Sequence, residues 1–208
     1  MNTAVLVIDM QNGFCHPNGS LPRHVMALPG TAQVIDTIRG LLEAARAEDL
    51  PIIYTRHVWR AGLVDCPQYL ARDFPAGEQP LVRGTWDAQI VDELEPHEHD
   101  VVIDKNRFDA FLHTDLAVVL RSLEADQLLV TGVMTNVCVE STVRTGSQLD
   151  YTMLVATDCT AGPEGQKEPS LTAMERFFAY QVAPWRNCFE TVGGAPRSPG
   201  RYPVGALP

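Results

Sequence analysis

The residue best placed to do chemistry in this sequence is Cys138. The stretch from Val130 to Thr142 reads VTGVMTNVCVEST, in which an apolar strand runs into a glycine turn and the cysteine stands at the head of a predicted helix. A helix N-terminus lowers the pKa of a thiol, and its backbone N–H groups can stabilise an oxyanion. Cys138 is therefore the candidate nucleophile, and the alternative is a small inert residue of the core.

Two charged residues end other apolar runs of the chain. Asp9 follows the run that starts at Ala4, and Lys105 closes the segment that starts at Val101. Catalytic groups collect beyond the carboxyl ends of the strands in an open parallel sheet, so these residues are expected to converge with the thiol. Asp9 would act as its general base, and Lys105 would favour the ionised carboxylate and thiolate. A turn aspartate and a solvated lysine are the alternatives.

The elements that must position these residues are indicated by short apolar runs that alternate with helical patterns. This alternation predicts right-handed βαβ crossovers and a three-layer α/β fold, with a parallel sheet covered by helices on both faces. The predicted strands lie at 3–8, 51–54, 101–103, 127–130, 152–156 and 188–192, and the predicted helices lie near 31–48, 114–123, 137–148 and 168–179.

The segment 58–99 interrupts this alternation. It holds four prolines and no long apolar run, and it is expected to form an excursion over the site with one short helix near 86–94. Long irregular insertions of this kind commonly act as lids or interfaces. Residues 1–192 are predicted to form a single domain. The tail at 193–208, rich in glycine and proline, is predicted to be extended or disordered.

Composition excludes several classes of protein. With 208 residues and 45% hydrophobic content the chain can bury one sizeable core, and its net charge of -10 disfavours binding to nucleic acid or to an anionic membrane. It has no apolar segment long enough to span a membrane and no secretory signal pattern, which favours a soluble cytoplasmic protein. Its five cysteines lack C-x-x-C spacing, which argues against a disulfide framework and a zinc cluster.

Several motifs together resemble the isochorismatase-like cysteine hydrolases, a superfamily that includes nicotinamidases and N-carbamoylsarcosine, biuret and ureidoacrylate amidohydrolases. The resemblance covers most of residues 3–192 and is nearest to the ureidoacrylate, biuret and N-carbamoyl branches. It implies a Rossmann-like sheet of strand order 3-2-1-4-5-6 and a homodimer or homotetramer. The motifs are VLVIDMQNGFC (5–15), TRHVWR (55–60), RGTWDAQIVDEL (83–94), DKNRFDAFLHTDL (104–116) and LLVTGVMTNVCVESTVRTGSQLDY (128–151).

The resemblance also implies a reaction. Cys138 would attack a small amide, ureido or carbamoyl compound, form a thioester and release ammonia or an amine, with no cofactor. The family carries a cis peptide bond at the place of Val133 and Met134. The backbone N–H groups of Met134 and Cys138 are then expected to form the oxyanion hole.

A metal ion is not expected at this site. Nicotinamidases of the superfamily hold a metal through an Asp-x-His pair after the second strand, whereas the matching place here reads Arg56-His57-Val58-Trp59. A metal site needs three or more convergent ligands. His57 is therefore predicted to be a hydrogen-bonded or pocket-lining residue.

Substrate contacts are predicted from the side chains that flank the motifs. Gln11 and Asn12 are candidates to bind a substrate amide or to orient Asp9. Arg56, Arg60 and Arg107 are either contacts for an acidic substrate tail or plain surface charges. An apolar pocket wall, with simple core packing as the alternative, is predicted for the aromatic residues Phe14, Trp59, Trp86, Phe108 and Phe111.

Three other functions stay open at this point. A nicotinamidase or cyclic-amide hydrolase would differ in the loops around the same catalytic residues. An isochorismatase that cleaves a vinyl ether would share the aspartate and the lysine, but it does not use a cysteine nucleophile. A binding protein with a decayed site would keep only the fold, because fold alone does not imply activity.

Overall fold

The structure is a computed structural model, and it describes residues 1–193. The tail predicted at 193–208 thus lies outside the described residues except for Gly193. The described chain forms one parallel sheet with helices on both sides. The strands are β1 (Thr3–Ile8), β2 (Ile52–His57), β3 (Val101–Lys105), β4 (Gln127–Val133), β5 (Thr152–Ala161) and β6 (Gln181–Ala183). The helices are α1 (Asn12–Cys15), α2 (Ser20–His24), α3 (Thr31–Ala47), α4 (Gln68–Ala71), α5 (Leu116–Ser122), α6 (Glu140–Gln148), α7 (Lys167–Phe177) and α8 (Trp185–Phe189).

The strand order is β3-β2-β1-β4-β5-β6, and every pairing is parallel. This confirms the predicted three-layer α/β class and its order. The chain first adds strands on one side of β1 and then returns to the other side, which puts the switch point between β1 and β4. At this place Ile8 pairs with Thr55 of β2 and with Gly132 of β4. Ligands of open α/β sheets bind beyond this edge.

The central strand is apolar throughout because both faces of the sheet are covered. Ala4, Leu6 and Ile8 point into one core, while Val5 and Val7 point into the other, and all five are fully buried. Successive side chains of a strand alternate between faces, so a strand covered on both sides reads as a continuous apolar run. The continuous apolar run at 4–8 therefore indicates a strand in the middle of the sheet.

Each core is closed by its own set of helices. Ile38 and Leu41 of α3 pack in the core that holds Val5 and Val7. Helices α5, α6 and α7 cover the other side, where Leu116, Val143 and Met174 are buried. Among residues 1–193, none of these helices combines the length and apolar character needed to cross a bilayer.

The predicted last strand at 188–192 is wrong. The final strand is the three-residue β6 at Gln181–Ala183, and the predicted segment belongs largely to helix α8 and the turn after it. Pro184 precedes the helix, and Trp185 and Cys188 are buried three residues apart, a spacing that suits one face of a helix. The spacing of Trp185 and Cys188 is therefore that of a helix and not of a strand.

The excursion at 58–99 is irregular, as its prolines predict. It contains α4 and three 3₁₀ turns at Ala61–Leu63, Trp86–Ala88 and Asp92–Leu94, so the predicted helix near 86–94 is two separate turns. The Asp87 carboxylate fastens the excursion, because it accepts hydrogen bonds from the Leu81 N–H at 2.7 Å and from the Ser20 hydroxyl at 2.7 Å.

Candidate active site

Three side chains from different strand ends converge beyond the carboxyl edge of the sheet. Asp9 follows β1, Lys105 ends β3, and Cys138 lies in the turn after β4. The Asp9 Oδ2 and Lys105 Nζ atoms are 2.6 Å apart, and neither side chain is exposed. The Cys138 Sγ lies within 4.8 Å of an Asp9 carboxylate oxygen. We call these residues the Asp9–Lys105–Cys138 cluster.

Asp9 is held by its backbone and by Thr55. Its φ of 53° lies in the left-handed region, which aspartate tolerates better than most residues do. The Thr55 hydroxyl donates a 2.6 Å hydrogen bond to Oδ1 and leaves Oδ2 to Lys105. Sequence analysis missed the role of Thr55, because its place beside Asp9 follows from the pairing of β1 with β2.

Lys105 is buried and has neighbours besides Asp9. Its ammonium donates a 3.0 Å hydrogen bond to the Arg107 carbonyl oxygen and lies 3.4 Å from Nδ1 of His57. Burial alone would lower the pKa of Lys105, but Asp9 and then Cys138 outweigh burial and raise it. Its carboxylate partner therefore favours the charged form of the lysine in spite of burial.

The backbone before Cys138 follows an unusual course. Gly132, which pairs with Ile8 of β1, has φ 107°, and the peptide bond between Val133 and Met134 is cis. A π-helical turn at Thr135–Val139 then leads into α6. Single π turns inside helices occur frequently at functional sites.

This turn is fixed from both of its sides. The Thr142 hydroxyl donates a 2.7 Å hydrogen bond to the Cys138 carbonyl oxygen and accepts one from the Ala110 N–H. The Ser170 hydroxyl donates to the Thr135 carbonyl oxygen at 3.1 Å. The position of the thiol is thus set by contacts from three segments of the chain.

The expected lowering of the Cys138 pKa is wrong. Burial raises the pKa to about 12, and although Lys105 works against this rise, Asp9 adds to it. Helix α6 also begins two residues after the cysteine, so the thiol is not in its first turn. The thiol is protonated at neutral pH and needs a base to become a nucleophile.

His57 lies next to the cluster and is neutral. Burial, then the charges of Lys105 and Arg107, hold the pKa of its imidazole well below the ordinary value. The Nε2 atom is buried without a hydrogen-bond partner among the residues that the structure describes. Its ring packs edge-on against Trp59, with 4.4 Å between the ring centroids.

The residues present do not fit a resident metal ion. Ligand atoms of Asp9, His57 and Cys138 lie within 4.8 Å of one another, which is close enough to share an ion. However, the Lys105 ammonium already lies 2.6 Å from the carboxylate and 3.4 Å from the imidazole. A divalent ion there would face this buried positive charge at short range.

A cavity of about 300 Å³ borders Cys138. Of the aromatic residues predicted from the sequence, Phe14, Trp59 and Phe108 line it. Sequence analysis missed Leu70 and Phe74, because nothing in an irregular excursion indicates which residues turn inward. Most of the remaining lining is also apolar, and it consists of Leu21, Val25, Met26, His57, Cys66, Tyr69, Asp73, Pro80, Leu81, Met134 and Val137.

Gln11 and Asn12 do not line this cavity. The Gln11 amide accepts a 2.6 Å hydrogen bond from the His57 N–H and donates to the carbonyl oxygens of His57 and Ala88, both at 3.0 Å. The Asn12 amide donates to the Trp86 carbonyl oxygen at 3.0 Å and borders a separate cavity of about 580 Å³. Both side chains hold the backbone of the site together.

Trp86 and Phe111 also lie away from the thiol. The Trp86 ring is 46% exposed and contacts the His16 ring edge-on, with a centroid distance of 5.0 Å. Phe111 stacks on Tyr151 at 5.6 Å and packs against the core formed with α5, α6 and α7.

The three arginines weighed as contacts for an acidic substrate have protein partners. Arg56 pairs with Asp104 at 2.8 Å, and Arg60 pairs with Asp65 at 2.7 Å. The Arg107 guanidinium donates to the carbonyl oxygens of Asp65 and Asn106.

Comparisons with known proteins agree with this fold. The isochorismatase domain family matches residues 3–184. A ureidoacrylate amidohydrolase RutB of Caulobacter vibrioides is 37% identical over 194 residues, which is 86% of each chain. An isochorismatase family protein of Desulfovibrio vulgaris superposes with a TM-score of 0.83 at 31% identity over 91% of this chain and 97% of that one. A cysteine hydrolase of Pseudomonas syringae pv. phaseolicola superposes with a TM-score of 0.80 at 31% identity over 92% of both chains.

The fold and site define a class, the three-layer α/β proteins that carry a buried acid, lysine and thiol beyond the switch point of the sheet. The chain belongs to the isochorismatase family. It is a hydrolase that acts on carbon–nitrogen bonds other than peptide bonds.

Proposed function

We propose that the protein is a cysteine amidohydrolase that cleaves a ureido or carbamoyl C–N bond through a thioester on Cys138. The observation that carries this proposal is the Asp9–Lys105–Cys138 cluster, in which a protonated thiol lies beside a buried carboxylate paired with a lysine. The relatives named ureidoacrylate amidohydrolase support a ureido compound as the substrate class.

Asp9 is the general base of the first step. A thiol with a pKa of about 12 carries almost no thiolate at neutral pH, so deprotonation must be coupled to the attack. As the S–H proton passes to Asp9, the sulfur forms a bond to the substrate carbonyl carbon. Lys105 stabilises the thiolate as it forms, because its ammonium is fixed beside both partners.

The backbone N–H groups of Met134 and Cys138 form the proposed oxyanion hole. When the tetrahedral intermediate collapses, the C–N bond breaks and the proton held by Asp9 moves to the leaving nitrogen. A ureido substrate then releases ammonia and leaves a carbamoyl thioester on the sulfur. One such backbone donor typically contributes about 10²- to 10³-fold to the rate.

Water completes the cycle by attacking the thioester carbon while Asp9 takes one of its protons. The C–S bond breaks, the sulfur recovers its proton, and the product leaves as an acid or as a carbamate that decomposes to an amine and carbon dioxide. Every atom comes from the substrate and water, so the cycle uses no redox partner.

The proposal includes a cytoplasmic location and a homodimeric or homotetrameric assembly. The five cysteines are free thiols, which suits a reducing compartment. Val102 on β3 and Val118 on α5 are 40% and 60% exposed, and they offer apolar surface for an interface. Light scattering of the purified protein would determine the number of subunits.

The decisive experiment measures ammonia release from ureas, N-carbamoyl amino acids, biuret, ureidoacrylate, nicotinamide and simple amides, with and without chelator. We expect turnover of at least one ureido or carbamoyl compound to resist the chelator and to disappear in Cys138→Ala. Cys66→Ala, which replaces a second thiol of the same cavity, is the matched control and should stay active. Equal turnover by Cys138→Ala, or activity on nicotinamide alone that the chelator abolishes, would refute the proposal.

A further inference from the structure

The cavity beside Cys138 has a composition that restricts the substrate further. Its walls come from Phe14, Trp59, Leu70, Phe74 and Phe108, together with other mostly apolar side chains. None of the described residues that line it is a lysine or an arginine.

The polar groups of the cavity offer no positive charge. His57 is neutral because burial and nearby cations hold its pKa well below the ordinary value. The only ionised residue type in the described lining is Asp73, an exposed aspartate that pairs with the Arg72 guanidinium at 3.8 Å. A substrate anion would thus meet no cation in the described lining.

The cations that adjoin the cavity lie outside its described lining and have protein partners, as Arg72 does with Asp73. Lys105 pairs with Asp9 at 2.6 Å, and the Arg107 guanidinium donates to two backbone carbonyl oxygens in an adjoining polar pocket. Arg60, which borders the same pocket, pairs with Asp65. A carboxylate carried into the apolar cavity would therefore lose its hydration without gaining an ionic partner, which is strongly unfavourable.

An apolar substituent on the substrate is favoured by the same cavity lining. Burial of apolar surface is favourable in proportion to area, and a dry cavity of roughly 150 Å³ is enough to hold benzene. The cavity beside Cys138 measures about 300 Å³. It therefore has room for a phenyl-sized or branched alkyl group together with a urea.

We propose that this cavity selects neutral substrates whose ureido, carbamoyl or amide group carries an apolar substituent, and that it discriminates against substrates with a carboxylate. This inference rests on the proposed function, since it names the substrate class of the same site. It sets the chain apart from its ureidoacrylate-hydrolysing relatives, because acrylate is an anion at neutral pH.

The test compares two ureas of nearly equal shape, isopentylurea and 3-ureidopropionate, which differ mainly in the charge at the far end. We expect kcat/KM to be at least about 10-fold higher for isopentylurea. Leu70→Arg places a cation in the wall and should shift this ratio at least about 10-fold toward 3-ureidopropionate. Leu70→Met, which conserves volume and charge, is its matched control and should keep the ratio of the wild type.

Arg107→Gln tests the competing possibility that the adjoining pocket receives a carboxylate. A wild-type preference for 3-ureidopropionate would overturn the inference, above all if Arg107→Gln abolished the preference. An unchanged ratio in a folded Leu70→Arg variant would also count against it.

Calorimetric titration of Cys138→Ala with the same two ureas separates this inference from the proposed function. If the wild type hydrolyses neither urea, but Cys138→Ala binds isopentylurea and not 3-ureidopropionate, the selectivity stands and the proposed chemistry fails. Tighter binding of 3-ureidopropionate, or equal binding of the two ureas, would overturn the selectivity whatever the wild type hydrolyses.

Discussion

Burial and the charge of Lys105 have opposite effects on the pKa of the Cys138 thiol. Burial raises the pKa of Cys138 to about 12, and the buried lysine beside it reduces this rise without cancelling it. The pair of Asp9 and Lys105 is itself stable only because each partner compensates the other away from water. Asp9 and Lys105 therefore stabilise each other in their charged forms. Removal of one of them leaves the other as an unpaired buried charge, which carries a large desolvation cost.

Asp9→Asn is expected to damage both stability and activity. It leaves the Lys105 ammonium buried without a counter-charge, and breaking a buried pair in this way typically costs about 3–5 kcal/mol. Loss of the general base should lower kcat/KM by about 10²- to 10⁴-fold. Urea denaturation and steady-state kinetics measure the two effects.

The double variant Asp9→Asn/Lys105→Met controls for the buried charge. It should recover part of the stability that Asp9→Asn loses while it stays inactive, because no charge is then left in the core. A double variant less stable than the sum of the two single changes would contradict this account.

His57 should make stability depend on pH. Unfolded histidine takes up a proton below about pH 6.5, whereas the folded side chain, with its lowered pKa, stays neutral. Unfolding therefore binds a proton, and the free energy of unfolding falls as pH decreases from about 6.5, by at most about 1.4 kcal/mol per pH unit for this group. Above that pH both states are neutral and the contribution disappears.

His57→Gln should therefore lose stability less steeply than the wild type between pH 6.5 and 5. Urea denaturation at several pH values measures the slope, and His99→Gln, in an exposed loop, is the matched control for the loss of a histidine. The prediction fails if the slope of His57→Gln equals that of His99→Gln.

The strands and turns place the site through close contacts between backbones. Gly132 of β4 pairs with Ile8 of β1, and a Cβ atom there would clash with the Ile8 carbonyl oxygen. Its φ of 107° is also poorly accessible to residues with a side chain. The chain then turns toward Cys138 directly after this contact, so the glycine sets both the strand pairing and the approach to the thiol.

Gly132→Ala is consequently expected to cost about 3 kcal/mol or more, since neither central strand can withdraw from the clash. Gly40→Ala is the matched control. Gly40 lies inside α3 with open space around its Cβ position, so alanine should stabilise the protein by about 0.5–1 kcal/mol. Denaturant midpoints of the two variants measure both effects. Equal stabilities would show that the β1–β4 contact is less rigid than the structure indicates.

The whole molecule is a sheet with one face in each of two cores and an irregular excursion over its active edge. The excursion is tied to the body by Asp87 and Gln11, whose hydrogen bonds reach Ser20, Leu81 and Ala88. The single domain at 1–192 stays a prediction. Residues of the excursion line the apolar cavity beside Cys138.

Sequence periodicity was sufficient to predict the class of fold, and the family resemblance added the strand order. Apolar runs that alternate with helical patterns leave few arrangements other than a parallel sheet between helices. The residues Asp9, Lys105 and Cys138 were also accessible from sequence, because each follows or ends a recognisable segment. These features depend on local patterns, which the order of residues records directly.

Tertiary structure alone decided the properties that arise between segments distant in the chain. The pKa of Cys138 depends on its burial and on the charges of Lys105 and Asp9, and the hydrogen bond from Thr55 depends on strand pairing. The Gln11 side chain hydrogen-bonds to the backbone of the excursion and does not line the cavity, because the excursion packs against it. The inward-facing residues of the excursion, and with them the apolar character of the cavity, follow from packing that no periodicity in the sequence encodes.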